Sequence, residues 1–311
     1  MSNITASMVK ELREKTSAGM LDCKKALTEN NGDMEVAVDW LRKKGLASAA
    51  KKAGRVAAEG LVSVAVSEDG KSAAAVETNS ETDFVSKNEI FQGFCRTVAE
   101  LALETSGDIE EVKAVSYPSS EKNTGDYLTE ELIAKIGENM NLRRAAKLSV
   151  TDGVVCSYIH NAAAANIGKI AVMVALESTG DKAALNATAK QIAMHIAASN
   201  PLFLSIADVD ADAVNRERKI FEDQAKASGK PENIIEKMVE GRVRKYYDEV
   251  VLEEQAFIMD TDKKVKAVIA DLAKELGTEV KLSAYVRFGL GEGIEKKEED
   301  FAAEVAAQLG S

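Results

Sequence analysis

The sequence predicts an α+β protein, and three observations carry that reading: a small helical head, a strand-turn-strand-helix pattern that occurs twice, and a pair of helices inserted into its second occurrence. Residues 4–45 read as three short helices. The first opens at Thr5 and buries Val9 and Leu12, and the second carries Met20, Cys23 and Leu27. The third follows Asp33, a good N-cap residue, sets Ala37, Trp40 and Leu41 on one face, and meets a C-terminal stop at Gly45. The Ala-rich, basic stretch 47–55 lacks a strong apolar stripe and reads as a linker, either irregular or helical.

Apolar runs at 61–66 and 73–77 flank Ser67-Glu68-Asp69-Gly70-Lys71, whose Asp-Gly step favours a turn, so a β-hairpin is expected. Ser86 and Glu89 fit a capping box ahead of Ile90, Phe91, Phe94, Val98 and Leu101, which line one face of a helix. That leaves 79–85 as an exposed connection. The pattern returns about a hundred residues later: Gly153-Val154-Val155-Cys156-Ser157-Tyr158 echoes Gly60-Leu61-Val62-Ser63-Val64-Ala65, and Gly168-Lys169 echoes Gly70-Lys71. A strand at 170–176 and a helix through Ile192 and Ile196, stopping before Pro201, complete the second copy. Internal duplication explains this most simply.

Helices are expected at 211–228 and 232–249, separated by Gly229-Lys230-Pro231, with Ile220, Phe221, Ile234, Ile235, Met238, Val239 and Val243 as an apolar seam. They should fold back as an antiparallel helical hairpin. A strand at 282–288, an acidic loop and a short amphipathic helix at 300–309 end the chain. The organisation read from this is a head and linker at 1–55, a first core subdomain at 56–150, a second at 151–285 with the insertion 211–249, and a C-terminal helical module at 286–311.

Composition narrows the function. The formal charge of −11 opposes a phosphate backbone, although 1–55 carries 11 Lys+Arg against 7 Asp+Glu, leaving 29 against 44 of the totals 40 and 51 for the rest. A basic head thus sits on an acidic body. With few aromatic residues, direct nucleic-acid binding by that head is not expected. No apolar run is long enough for a membrane span and the start lacks the pattern of a secretion signal, so a cytoplasmic protein is expected. Cys23, Cys95 and Cys156 are scattered singly, without the spacing of a zinc site or a disulfide framework.

Catalysis is poorly provided for. His160 and His195 are the only histidines, which excludes a multi-histidine metal site. A Cys156–His160 thiol pair would have to bridge four residues of strand, about 13 Å. His195, in an apolar helix, reads as a packed imidazole. Gly289-Leu290-Gly291-Glu292-Gly293 follows a strand but lacks the third glycine of a dinucleotide fingerprint, and Glu295, Glu298, Glu299 and Asp300 would repel phosphate, so it reads as a flexible loop. No catalytic residue, cofactor or metal is expected.

One stretch stands out. Glu81-Thr82-Asp83-Phe84-Val85 sets an aromatic and an aliphatic residue after two acids in a segment otherwise small and polar. Two readings fit it. Phe84 and Val85 can turn inward as a hydrophobic staple, or a short loop between hairpin and helix can present one ring to a partner.

The string Thr82-Asp83-Phe84-Val85, with Ile4-Thr5-Ala6-Ser7-Met8-Val9-Lys10-Glu11-Leu12-Arg13 and Gly19-Met20-Leu21-Asp22-Cys23-Lys24-Lys25-Ala26-Leu27, closely resembles the bacterial elongation factor Ts family. Lys135-Ile136-Gly137-Glu138-Asn139, Ala193-Met194-His195-Ile196-Ala197-Ala198, and Arg287-Phe288 through Gly293-Ile294-Glu295 extend the likeness in order along almost the whole chain. The resemblance implies a ubiquitin-associated-like (UBA-like) three-helix head, a duplicated core with antiparallel sheets, a helical-hairpin insertion and a C-terminal module. It also implies a non-enzymatic guanine-nucleotide exchange factor for elongation factor Tu (EF-Tu), which itself binds no nucleotide. By the same resemblance Thr82, Asp83, Phe84 and Val85 form the wedge that dislodges Mg²⁺ from the partner. Arg13, Met20, Leu21, Ile136, Gly137, Glu138, Asn139 and His160 match partner contacts. The helical hairpin either supports a homodimer or touches only its own chain.

Overall fold

In the computed structural model the described residues are 4–16, 18–226 and 231–295, and the helix expected at 300–309 lies outside them. The chain is mixed α/β, with N-terminal helices and antiparallel sheet. It divides into two compact units: Met1–Ser63 with Val76–Ala145 and Gly289–Ser311, and Val64–Ala75 with Ala146–Phe288.

The first unit begins with α1 (Ala6–Thr16), α2 (Met20–Glu29) and α3 (Met34–Lys52). The Thr5 hydroxyl accepts from the Met8 amide where the first helix opens, and the Asp33 carboxylate accepts from the Val36 amide as the expected N-cap. Val9, Leu12, Cys23, Ala26, Leu27, Ala37 and Leu41 make the core of these helices. Gly45 does not stop the third one, which runs on through the expected linker to Lys52. A Cβ at Gly45 would lie 3.3 Å from the Ala134 methyl and 3.4 Å from the Glu130 carbonyl. The glycine serves a close approach between helices instead of an ending.

Strands β1 (Glu59–Val66) and β2 (Ser72–Ser80) form the expected hairpin, and its tip belongs to the second unit. The Gly70 amide donates to Ser67 O, and Gly70 has φ +70°, the left-handed conformation an Asp-Gly turn calls for. Strand β2 runs further than expected: Asn79 and Ser80 are buried strand residues, not part of an exposed connection. Helix α4 (Glu89–Ala102) follows and buries Phe91, Phe94, Cys95, Val98 and Leu101. Its cap is Asn88, whose Oδ1 accepts from the Ile90 and Phe91 amides, and not the expected Ser86. Asn caps as well as Ser, and the Ser86 hydroxyl is already committed to Asp83 O.

Next come α5 (Ile109–Ala114), α6 (Thr124–Tyr127) and, after one π-helical turn, α7 (Ile133–Ile136). Strand β3 (Met140–Ser149) extends the sheet in the order β3-β2-β1.

Glu77 lies on β2 with no exposed side-chain surface. Arg143 Nη1 reaches it at 2.9 Å, Arg144 Nε at 2.5 Å, Asn79 Nδ2 at 3.0 Å and the Gly291 amide at 2.9 Å. The same arginines hold the carbonyls of Glu292 and Gly289. The glycine-rich stretch is therefore a fixed turn instead of a flexible loop. At Gly291 (φ +72°) a Cβ would come within 2.5 Å of Ala58 O, so only glycine fits.

In the second unit β4 (Gly153–Ala164) pairs antiparallel with β5 (Ile167–Glu177) from Gly153↔Glu177 onward. Helix α8 (Lys182–Ser199), capped by Asp181, lays Leu185, Ala189, Ile192 and Ile196 against Val154, Val172, Val174 and Leu176. Helices α9 (Ala211–Lys226) and α10 (Glu232–Val250) pack on each other through Ala225, Ile235, Val239 and Val243. Strands β6 (Ala256–Phe257) and β7 (Asp260–Lys264), helix α11 (Val265–Leu276) and strand β8 (Lys281–Gly289), which pairs with β5, complete it.

Burial alone would raise the Glu77 pKa, but the Gly291 amide, Arg143, Asn79 and Arg144 outweigh it and hold the carboxyl below its ordinary value of 4.5. Its stabilisation is present above about 4.5 and is lost as pH falls through the lower folded-state value. Glu77→Gln, which leaves two arginines facing a neutral group, is expected to cost about 3–5 kcal/mol at pH 7. In urea unfolding the gap to the native chain should narrow below pH 4.5.

Candidate functional site

The candidate site lies where β2 ends. Successive bonds from the Ser86 amide to Asp83 O (3.2 Å), Lys87 to Phe84 O (3.1 Å) and Asn88 to Val85 O (2.9 Å) wind 83–88 into a tight turn, with a 3₁₀ helix at Val85–Lys87. Neighbouring residues in such a turn face different ways. Val85 points into the core at 5% exposure and Phe84 outward at 76%. Both sequence readings are thus half met: the aliphatic residue packs and the aromatic one projects. Lys87 Nζ stands 6.0 Å from the Phe84 ring centroid, at the edge of cation–π range.

Both flanks of the turn are braced. On the strand side Glu138 receives two bonds from Thr82, its backbone amide at 2.9 Å to Oε2 and its hydroxyl at 2.6 Å to Oε1. The Glu81 carboxylate accepts from the Asn139 amide at 2.5 Å and faces Arg55 Nη1 at 3.4 Å, while Asn139 Nδ2 donates to Arg55 O at 2.8 Å. On the helix side the Ser86 hydroxyl donates to Asp83 O at 2.5 Å and Gln92 Nε2 donates to Ser86 O at 2.9 Å. Asp83 is exposed at the tip.

Ile136 ends α7 half-buried, and Gly137 caps it with φ +93°, its amide donating to Ile133 O. That left-handed step turns the chain so that Glu138 and buried Asn139 reach the loop. The structure thus gathers Ile136–Asn139 and Thr82–Val85 into one place. Nothing in the separate strings told that these two motifs meet.

The remaining residues implied by resemblance stand elsewhere. In the head Arg13, Met20 and Leu21 are exposed, the last two at 58% and 84%. In the second unit His160 is exposed on β4, its Nδ1 3.1 Å from the Tyr158 hydroxyl. Cys156 Sγ donates to Ser157 O instead of meeting that ring, and burial raises its pKa above the ordinary value. Cys95 is pushed up to about 12 by burial. His195 is buried, with Nε2 donating to Gln255 Oε1 (2.9 Å) and Nδ1 accepting from the Ile258 amide (3.3 Å), which assigns a neutral ring. Among the described residues no helix is long and apolar enough to cross a membrane, and no group of His, Cys, Asp and Glu is arranged to hold a metal ion.

The turn thus holds one exposed ring, Phe84, on a backbone braced from both sides. Residues 81–292 match the family model described as elongation factor TS, which sets the chain among the protein-synthesis elongation factors. It is 60% identical over 311 residues to the elongation factor Ts of Paramagnetospirillum magneticum, covering 100% of this chain and 99% of the relative. To the proteins of that name from Rhodospirillum centenum and Rhodospirillum rubrum it is 59% and 58% identical, covering 100% of each chain in the first case and 99% in the second. The chain belongs to the elongation factor Ts family.

His195, in the second unit, gives that unit a pH dependence. Burial lowers its pKa below the ordinary 6.5, against the opposing Gln255 bond, so the unfolded chain takes up a proton where the folded one does not. Stability is therefore full above about 6.5 and declines as pH falls below it. The denaturant midpoint should drop across that window in the native chain, and the His195-dependent part of the drop should vanish in His195→Phe.

Proposed function

We propose that Phe84 is the element through which this chain opens the nucleotide site of its partner. As a member of the elongation factor Ts family, the chain is a guanine-nucleotide exchange factor for EF-Tu in translation elongation. The single observation that carries the assignment to Phe84 is its 76% exposure at the tip of a turn whose neighbour Val85 is buried. Thr82, Asp83, Phe84 and Val85 enter the Mg²⁺ and phosphate region of EF-Tu·GDP as a unit, with Asp83 and Phe84 at the tip.

The physics needs no bond to be made or broken. Mg²⁺ bridges protein oxygens and nucleotide phosphates, so displacing the elements around it weakens nucleotide binding. Linkage makes the antagonism mutual: the factor loosens the nucleotide by the same factor by which nucleotide loosens the factor. GDP leaves faster, and GTP refills the site. The chain binds no nucleotide itself, uses no cofactor, and works in the cytosol, where translation takes place.

The other contacts follow the same reading. The three-helix head is UBA-like and docks on the GTPase through Arg13, Met20 and Leu21, two of them large exposed apolar side chains. Ile136, Gly137, Glu138 and Asn139 lie beside the wedge, and His160 on the second unit meets another part of EF-Tu. The core is duplicated across 56–150 and 151–285. In support, Gly60 (φ +121°) and Gly153 (φ +135°) each open the first strand of a hairpin, where a Cβ would come within 2.2 Å of Thr78 O and 2.0 Å of Leu176 O respectively. The C-terminal module is 286–311.

Phe84→Ala should slow the EF-Tu GDP release that this chain stimulates by about tenfold or more, the scale of a buried interface anchor. The fold should be unaffected, within about 0.5 kcal/mol, because an exposed ring contributes little to the core. Stopped-flow release of a fluorescent GDP measures the first, and unchanged stimulation excludes the wedge role. Helices α9 and α10 are read as an antiparallel hairpin that serves self-association, with Ile220 and Ile234 exposed. Sedimentation should then report a dimer that is lost on removing 211–249, and an unchanged mass excludes it.

A further inference from the structure

We propose that Glu138 is a positioning residue for nucleotide exchange, acting through Thr82 to hold the turn that presents Phe84, and that it does so within its own chain. The inference rests on the reading of that turn given above. Resemblance groups Glu138 with residues that touch the partner, but in this structure both of its carboxylate oxygens are engaged by Thr82.

Thr82 offers two donors, one on its backbone and one on its side chain, and a carboxylate that takes both fixes the backbone and the side-chain rotamer together. Bonds to an ionised acceptor are the stronger kind. Glu138 is itself held in place. The left-handed Gly137 cap fixes the chain before it, and buried Asn139, bonded to Glu81 and to Arg55 O, fixes the chain after it. On the far side Val85 is buried and Asn88 caps α4. Phe84 stands between these two anchorages, exposed, with Lys87 Nζ 6.0 Å from its ring centroid. Its direction is therefore set by the backbone, and the clasp two residues upstream supplies half of that restraint.

A loosened clasp lets the turn visit conformations in which the ring points elsewhere. The competent fraction falls, and the rate at saturation falls with it. Contacts made by the head do not pass through Thr82, so the concentration needed for half-saturation should move much less. A direct contact between Glu138 and the partner predicts the reverse split.

The experiment uses the full chain with EF-Tu carrying a fluorescent GDP, and hydrogen exchange on the free chain. Glu138→Ala should speed amide exchange across 81–88 about tenfold and lower the saturating GDP-release rate about tenfold, with half-saturation shifted less than about threefold. Glu138→Gln keeps one acceptor oxygen and should fall between, which keeps the proposal testable should the alanine variant not fold. Adding Thr82→Val to Glu138→Ala should change the rate by less than about twofold, since both remove one interaction. The proposal is overturned by unchanged exchange at 81–88, by an effect confined to half-saturation, or by effects of the two substitutions that multiply. The two readings fail separately. A silent Phe84→Ala defeats the wedge and with it any role for the clasp, whereas a slow Phe84→Ala beside a silent Glu138→Ala defeats the clasp alone.

Discussion

A carboxylate with no solvent exposure governs the first unit. Glu77 is tolerated in the sheet because four donors converge on it: Asn79 on its own strand and, from distant parts of the chain, Arg143 and Arg144 on β3 and the amide of Gly291. An isolated buried charge is prohibitively unfavourable, so none of these segments can drift away without exposing the others to the full desolvation penalty. The arginines also hold the carbonyls of Gly289 and Glu292, which makes the junction reciprocal. Glu77 lies only four residues before Glu81, so the constraint on the strand is handed directly to the turn beyond it.

That turn solves a conflict between two apolar neighbours. Phe84 and Val85 both favour burial, but a 3₁₀ turn advances about 120° per residue and cannot send adjacent side chains the same way. The smaller one packs and the larger one faces water. A single exposed apolar side chain is ordinary on a protein surface. This one differs in its footing, because the residues on either side are fixed by Glu138, Asn139, Ser86, Gln92 and Asn88. A ring on a preorganised backbone reaches a partner without first losing much conformational freedom.

The electrostatics suit a protein that shifts a partner's equilibrium. Burial raises the Cys95 and Cys156 thiols and lowers the His195 pKa, which makes these three groups poorly suited to nucleophilic or acid–base work near neutral pH. Coupling between factor and nucleotide needs only differential affinity, and differential affinity is best served by rigid shape.

Much of the fold was legible because it follows local rules. The start at Thr5, the Asp33 cap, the Asp69-Gly70 turn and most of the apolar face of α4 and of the seam between α9 and α10 depend on residues close in sequence, where periodicity and capping chemistry speak directly. Ile90, Ile220 and Ile234, expected in those faces, are exposed. Three local rules misled where packing overrode them: Gly45 admits a neighbouring helix, Asn88 displaces Ser86 as the cap, and the glycines after β8 meet Glu77 instead of moving freely. The string 82–85 marked the place of the candidate site, but its two apolar residues could not be told apart on paper. By itself, then, the sequence determined the class of fold, the family and the loop to examine. Only the tertiary structure decided which side chain points outward and what holds it there, because the clasp joins Thr82 to Glu138 and Glu81 to Asn139 across gaps of 56 and 58 residues that no local pattern spans.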